Sequence, residues 1–224
     1  MSSDGKTIAA MVRAFHASAA NEHATIERAL RIAPAGVERS GELTSLLRRF
    51  GNHNFEFASL PLRELREVFR AVELGPGDLF CDAGAGYGHA VFYGACIAAS
   101  RFRAIEILPV RCAAMRRTAA RLGLTNVEII QADALSQSYA DVSCVFLNNP
   151  FFPDTAERFV RHLKSGRSAA LTVIAAHNIV DAFRGDGDFV EMETRARLPD
   201  YRFGVFRWKR KAGSRVTSSS RRIS

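Results

Sequence analysis

Cysteine and tryptophan are scarce in this chain: four cysteines and one tryptophan in 224 residues. The cysteines, Cys81, Cys96, Cys112 and Cys144, form no C-x-x-C pair, and each sits in an apolar or helical pattern. That spacing argues against a zinc site and against a disulfide framework; the thiols read as reduced core residues of a cytoplasmic protein, with no metal expected. No apolar run approaches the ~20 residues of a membrane span, so no membrane partner is expected. Residues 1–23 have no signal-peptide apolar core, and Asp4 and Glu22 interrupt a transit-peptide reading. Acids are also in deficit: 23 Asp and Glu against 31 Lys and Arg leave a net charge of +8. Most of that excess lies in the tail, where Lys209, Arg210, Lys211, Arg215, Arg221 and Arg222 occur without one acid. The hydroxyl run from Thr217 to Ser220 beside them suggests disorder. Two readings of the tail stay open: a solvated end, or a nonspecific contact to an acidic partner such as nucleic acid.

What is present is ordinary for a globular domain: 47% hydrophobic and 24% charged residues. The length suits one domain with extensions. Residues 1–60 read as a helical extension followed by a loop that covers the site. Residues 61–208 read as the main domain and 209–224 as the basic tail. In the extension Ile8, Met11, Val12 and Phe15 recur at helical spacing, as do Ile26, Ala29 and Leu30, then Leu43, Leu46 and Leu47. Pro34 and Gly36 break it, and a loop is expected over 51–61. Pro61 fits the first turn of a helix whose apolar face is Leu62, Leu65, Val68, Phe69 and Val72.

From there strands and helices alternate. Strands are expected at 79–81, 102–107, 127–130, 142–147 and 169–175, and helices at 91–99, 109–122 and 154–163, with a short helix at 178–183. Two alternating segments, 189–198 and 203–208, predict a closing antiparallel pair. Strands separated by helix-length segments argue for an α/β, Rossmann-like, doubly wound and mostly parallel sheet.

The densest signal is DLFCDAGAGYGH, residues 78–89. A short apolar strand ends on Asp82, and Gly84, Gly86 and Gly88 follow at alternate positions. Glycine is needed where φ is positive or a ligand comes close, and the helix start beyond it offers free N–H groups. A dinucleotide fingerprint wants G-x-G-x-x-G; here the third glycine comes one residue early, and His89 stands where it would be. A nicotinamide-dependent oxidoreductase is therefore a distant reading. Glu106 ends the second strand, where an acid can accept hydrogen bonds from both hydroxyls of a ribose. Asp133, with the Ala134 N–H beside it, ends the third strand, where a carboxylate can accept from an exocyclic amine. Ligands bind such sheets at the carboxyl ends of the strands, and all three acids fall there. The fourth strand ends in Asn148, Asn149, Pro150, Phe151 and Phe152, a rigid turn with amide carbonyls and aromatic faces. Such a turn can align an amine and shelter a cation.

The form D-x-G-x-G-x-G resembles motif I of the class I S-adenosylmethionine-dependent methyltransferases. The resemblance implies S-adenosyl-L-methionine as cofactor, with Asp82 near its methionine ammonium, Glu106 on its ribose and Asp133 and Ala134 on its adenine. His89 then either contacts the cofactor carboxylate or serves as a cap. The run from Asn54 to Phe152 is similar to the catalytic core of the Dot1-type protein lysine methyltransferases, in the aromatic-x-Glu loop (NFEF, with Glu56 as a cofactor contact), in DLFCDAGAGYGH and in FLNNPFF. This implies direct SN2 methyl transfer to the amine of an accessible protein lysine. NNPFF also resembles the (N/D)-P-P-(F/Y) motif of amino methyltransferases acting on adenine or glutamine, with Phe151 replacing the second proline. The alternatives are an RNA, DNA or small-amine N-methyltransferase, and a catalytically silent scaffold. His53 could line a substrate channel, and His23 reads as structural. The oligomeric state is unknown from sequence.

Overall fold

The computed structural model describes residues 1–18, 24–32, 44–45, 49, 59–165, 169–196, 198 and 200–209. Glu56 and the rest of NFEF, His53, His23 and the tail beyond Lys209 lie outside the described residues. The chain builds a seven-stranded sheet of order β3-β2-β1-β4-β5-β7-β6. Its strands are β1 (Leu79–Ala83), β2 (Arg101–Glu106), β3 (Val127–Gln131), β4 (Cys144–Asn148), β5 (Thr172–Ala176), β6 (Phe189–Glu191) and β7 (Phe203–Trp208). The pairs among β1 to β5 are parallel, and β7 runs antiparallel to both β5 and β6. The Rossmann-like architecture expected from the alternation is therefore present. The order reverses beside β1, which leads to β2 on one side and β4 on the other. In open α/β sheets that switch point is where a crevice opens.

Every residue of β1 is buried, because both faces of the sheet are covered. Phe80 faces one core with Phe102, Phe146 and Ile174; Leu79, Cys81 and Ala83 face the other with Val145, Leu147 and Val173. The first core is roofed by α3 (Leu62–Arg70), α4 (His89–Ile97) and α5 (Pro109–Leu122); the second by α6 (Pro153–Lys164) and α7 (Ile179–Arg184). Burying each large apolar side chain of these layers stabilises by roughly 1.5–3 kcal/mol.

α4 explains the N-terminal extension. Its residues from Ala90 to Cys96 are all buried, so it has no solvent face. α1 (Ser3–Ala17) covers its outer side: Arg13 donates to the Cys96 carbonyl at 3.0 Å, His16 Nδ1 lies 3.0 Å from the Tyr93 hydroxyl, and Phe15 meets Tyr93 edge-on. α2 (Ala24–Leu30) is tied in by Arg121, which donates to the Leu30 carbonyl. The described part of the extension thus forms an outer helical layer.

One expected element is shorter than its pattern. The strand predicted over 189–198 ends at Glu191, with one more ladder bond, Met192 N–H to the Val205 carbonyl at 2.7 Å. Beyond it the Thr194 hydroxyl accepts from the Ala196 N–H at 3.1 Å, a local turn that competes with the ladder.

Candidate active site

A cleft of about 770 Å³, counted out to solvent, opens at the carboxyl ends of β1, β2 and β4. Its place at the carboxyl ends of a doubly wound sheet is where such folds bind ligands. Its floor is the glycine turn. Gly84, Gly86 and Gly88 have φ of +87°, +57° and +83°, a backbone that disfavours side chains. At Gly84 the need is double, since a Cβ there would stand 2.5 Å from the Cβ of Pro150 on the facing wall. The Gly84 and Ala85 N–H groups both donate to the Ile105 carbonyl, at 2.9 and 3.0 Å, folding the turn against the end of β2.

Glu106 fixes this arrangement. One carboxylate oxygen accepts from the Gly86 N–H at 2.8 Å and the other from the Leu108 N–H at 2.9 Å. Arg111 lies 3.9 Å away on the first turn of α5, with its guanidinium 5.6 Å from the centre of the Tyr87 ring. Burial pushes the Glu106 carboxyl up, opposed by Arg111 and the backbone donors. Asp82 is only 3% exposed. Burial, and then the nearby Glu106, push its carboxyl up to about 8. Two acids thus meet on the floor with one arginine beside them. A ligand group bearing positive charge relieves that floor, and a pyrophosphate would be repelled by it.

Asp82, Gly84, Gly86, His89, Glu106 and Ala134 all line the cleft. His89 opens α4, and burial pushes its imidazole down to about 4, so it is neutral. Gly88 does not line the cleft; a Cβ there would meet Phe92 at 2.8 Å, so its role is to pack the turn. Asp133 does not line it either. Its Oδ1 accepts from the Leu135 N–H at 2.9 Å, capping the short 3-10 turn Ala134–Ser136, and the adjacent wall is built by Ala132 and Ala134.

The opposite wall is Asn148, Asn149, Pro150 and Phe151, with Phe146 beneath. Asn149 has φ +55°, the left-handed conformation that asparagine tolerates better than most residues. Phe151 is buried on Phe159, ring centres 4.9 Å apart. Phe152 is different: it is 47% exposed, caps α6 and does not line the cleft. Four of the five residues expected on this turn therefore come together, and the fifth faces solvent.

Sequence reading missed Arg111, and Ser59, Leu60 and Leu65 at the rim. Arg111 had a usable signal, since it shares a buried helix face with Met115, Thr118 and Leu122. A cation on such a face needs a partner.

The sequence matches no protein-family model and no curated protein. Solved structures do resemble the fold. An RNA methyltransferase from Salinibacter ruber, in complex with S-adenosyl-L-homocysteine, is 19% identical with a TM-score of 0.54, over 70% of this chain and 96% of that one. A precorrin-6y C5,15-methyltransferase from Geobacter metallireducens is 13% identical with a TM-score of 0.51, over 70% and 92%. A SAM-dependent methyltransferase from Aquifex aeolicus is 15% identical with a TM-score of 0.50, over 65% and 89%. The fold is that of the class I S-adenosylmethionine-dependent methyltransferases.

Proposed function

We propose that the chain is an S-adenosylmethionine-dependent N-methyltransferase whose acceptor is an exocyclic amine of a nucleic-acid base. The observation that carries the reading is the cleft itself: a glycine turn and two buried carboxylates face an Asn-Asn-Pro-Phe wall across one opening. The cofactor fits on charge, because its ammonium would offset the Asp82–Glu106 pair, where a nicotinamide dinucleotide would present phosphates. Asp82 would hold that ammonium, Glu106 the ribose through lone pairs its two backbone donors leave free, and Ala132 and Ala134 the flank of the adenine. When bound, the cofactor supplies an electrophilic methyl group on a sulfonium.

The chain's own part is positioning. The acceptor nitrogen must bring its lone pair into line with the methyl group and lose one proton, and little other acid–base help is needed. Asn148, at the end of β4, is placed to orient the N–H groups of the amine. Phe151 and Phe146 keep water from the transfer path.

A nucleic-acid acceptor is supported by the net charge of +8 and by the resemblance of NNPFF to amino-methyltransferase turns. An RNA methyltransferase stands among the proteins of similar fold. The second reading, a protein lysine acceptor, draws on DLFCDAGAGYGH and the double asparagine. Incubating the full chain with cofactor carrying a tritiated methyl, against separated RNA, protein and small-molecule fractions, decides between them. Label in RNA supports the proposal; label confined to protein overturns it in favour of lysine.

A further inference from the structure

The floor of the cleft is uneven in charge, and Arg111 makes it so. Arg111 stands in the first turn of α5, lines the cleft and is 5% exposed. Pro109 at the helix start and the extended Leu108 before it fix where α5 begins. Side chains of a helix lean toward its N-terminus, so the guanidinium reaches back to the end of β2. There Nη1 comes 3.9 Å from Glu106 Oε2, the same oxygen that accepts from the Gly86 N–H at 2.8 Å. The guanidinium also lies 5.6 Å from the centre of the Tyr87 ring. It therefore bridges the end of β2 to the glycine turn.

Among the described residues that line the cleft, Arg111 is the only cation, since His89 is neutral. The two acids do not share it evenly. At Glu106 it opposes the upward push of burial. Asp82 meets only burial and the charge of Glu106, which push its carboxyl up to about 8. The Cys112 thiol, 3.3 Å from the Glu106 carbonyl oxygen, stays protonated, raised to about 12 by burial and by Glu106. Glu106 and Arg111 thus form a matched pair at the β2 end, and Asp82 is the unmatched acid at the β1 end.

That division fits two different ligand groups. A sugar diol brings donors and no charge, whereas an ammonium brings both. A hydrogen bond to an ionised acceptor is roughly twice as strong as one to a neutral acceptor, so a ribose gains most while Glu106 stays ionised. Without the cation, two buried acids would share the floor and hold a proton between them near neutrality.

We propose that Arg111 is a positioning residue that acts through Glu106: it balances that carboxylate, so the β2 end takes the neutral ribose and Asp82 is left for the ammonium. This rests on the methyltransferase reading and deepens it, because it fixes which way round the cofactor lies. The test is calorimetry on the full chain with 5′-methylthioadenosine, the nucleoside half of the cofactor without its amino and carboxyl groups, against the 2′-deoxy form of the same compound. Using this pair keeps Asp82 out of the comparison. The unaltered chain should prefer the ribose form by about tenfold or more, equally at pH 7 and pH 9. In Arg111→Met the preference should fall to about threefold or less at pH 7 and recover at pH 9, where Glu106 ionises without help. Arg111→Lys keeps the charge and should keep the preference at both pH values. A preference in Arg111→Met equal to that of the unaltered chain, or one still lost at pH 9, overturns the proposal. So does a preference that changes with pH in the unaltered chain or disappears in Arg111→Lys, and these two proteins carry the test even where Arg111→Met does not fold. Failure of the unaltered chain to bind either 5′-methylthioadenosine or S-adenosylhomocysteine overturns the cofactor reading and this assignment with it, a result distinct from binding without a ribose preference.

Discussion

The two ends of the cleft are finished to different degrees. At the β1–β2 end the polar groups are largely paired within the chain. Glu106 takes N–H groups from both sides, and the Gly84 and Ala85 N–H groups close on Ile105. At the β4–β5 end, Asn149 and His177 stand in left-handed conformations. The first end is preorganised and leaves little to adjust, as suits a cofactor of fixed shape. The second carries backbone strain, which collects at binding sites. The difference teaches that closed hydrogen bonding marks the β1–β2 half of the cleft and backbone strain its β4–β5 half.

The most damaging break should be Gly84→Ala, because it touches both ends at once. The new Cβ meets Pro150 and the φ of +87° strains any side chain, which together cost roughly 2–4 kcal/mol. Thermal unfolding should show a marked loss of Tm together with lost cofactor binding.

Asp82→Asn should leave the fold intact and weaken S-adenosylmethionine roughly 10- to 100-fold, the worth of one hydrogen bond to a charged group. Asp82→Ala should abolish binding, also with the fold retained, as circular dichroism would show. Unchanged affinity in either variant would remove Asp82 from the site.

The pH dependence follows from the same residue. With the folded carboxyl at about 8, above its unfolded value, the folded state holds the proton more tightly. Its contribution to stability is therefore full below the ordinary carboxylate range and is lost as pH rises toward 8. The Tm of the ligand-free protein should fall between pH 5 and 8 on this account, with a shallower fall in Asp82→Asn. Cofactor affinity should move the other way and tighten toward pH 8, because the ammonium pairs with the ionised carboxylate.

At the acceptor end, Asn149→Gly should keep stability and reduce transfer, whereas Asn149→Ala should also lose about 1–2 kcal/mol to the left-handed backbone. Phe152→Ala should be the mildest, within about 0.5 kcal/mol in denaturant unfolding, since its ring faces solvent. A large stability loss there would mean that the exposed ring is doing structural work.

Much of this architecture is legible in the sequence because it is local. The alternation of strands and helices locates β1 to β5 to within a few residues, and the alternating glycines locate the turn. Glu106 is readable from its place at a strand end. What escapes is the partner a side chain finally meets. Asp133 looks like a ligand contact in sequence, yet its carboxylate caps its own 3-10 turn. Phe151 and Phe152 look alike, yet one packs on Phe159 and the other faces water. Arg13 and the Cys96 carbonyl it donates to are 83 positions apart, joined only because α1 packs on α4. No periodicity encodes such a meeting.

The most direct test of the central claim is a calorimetric titration of the full chain with S-adenosylmethionine at pH 8, and with NAD under the same conditions. The two-carboxylate floor predicts one-site micromolar binding of S-adenosylmethionine and no heat from NAD. Binding of NAD in preference, or of neither, would contradict the claim that this cleft holds a sulfonium cofactor.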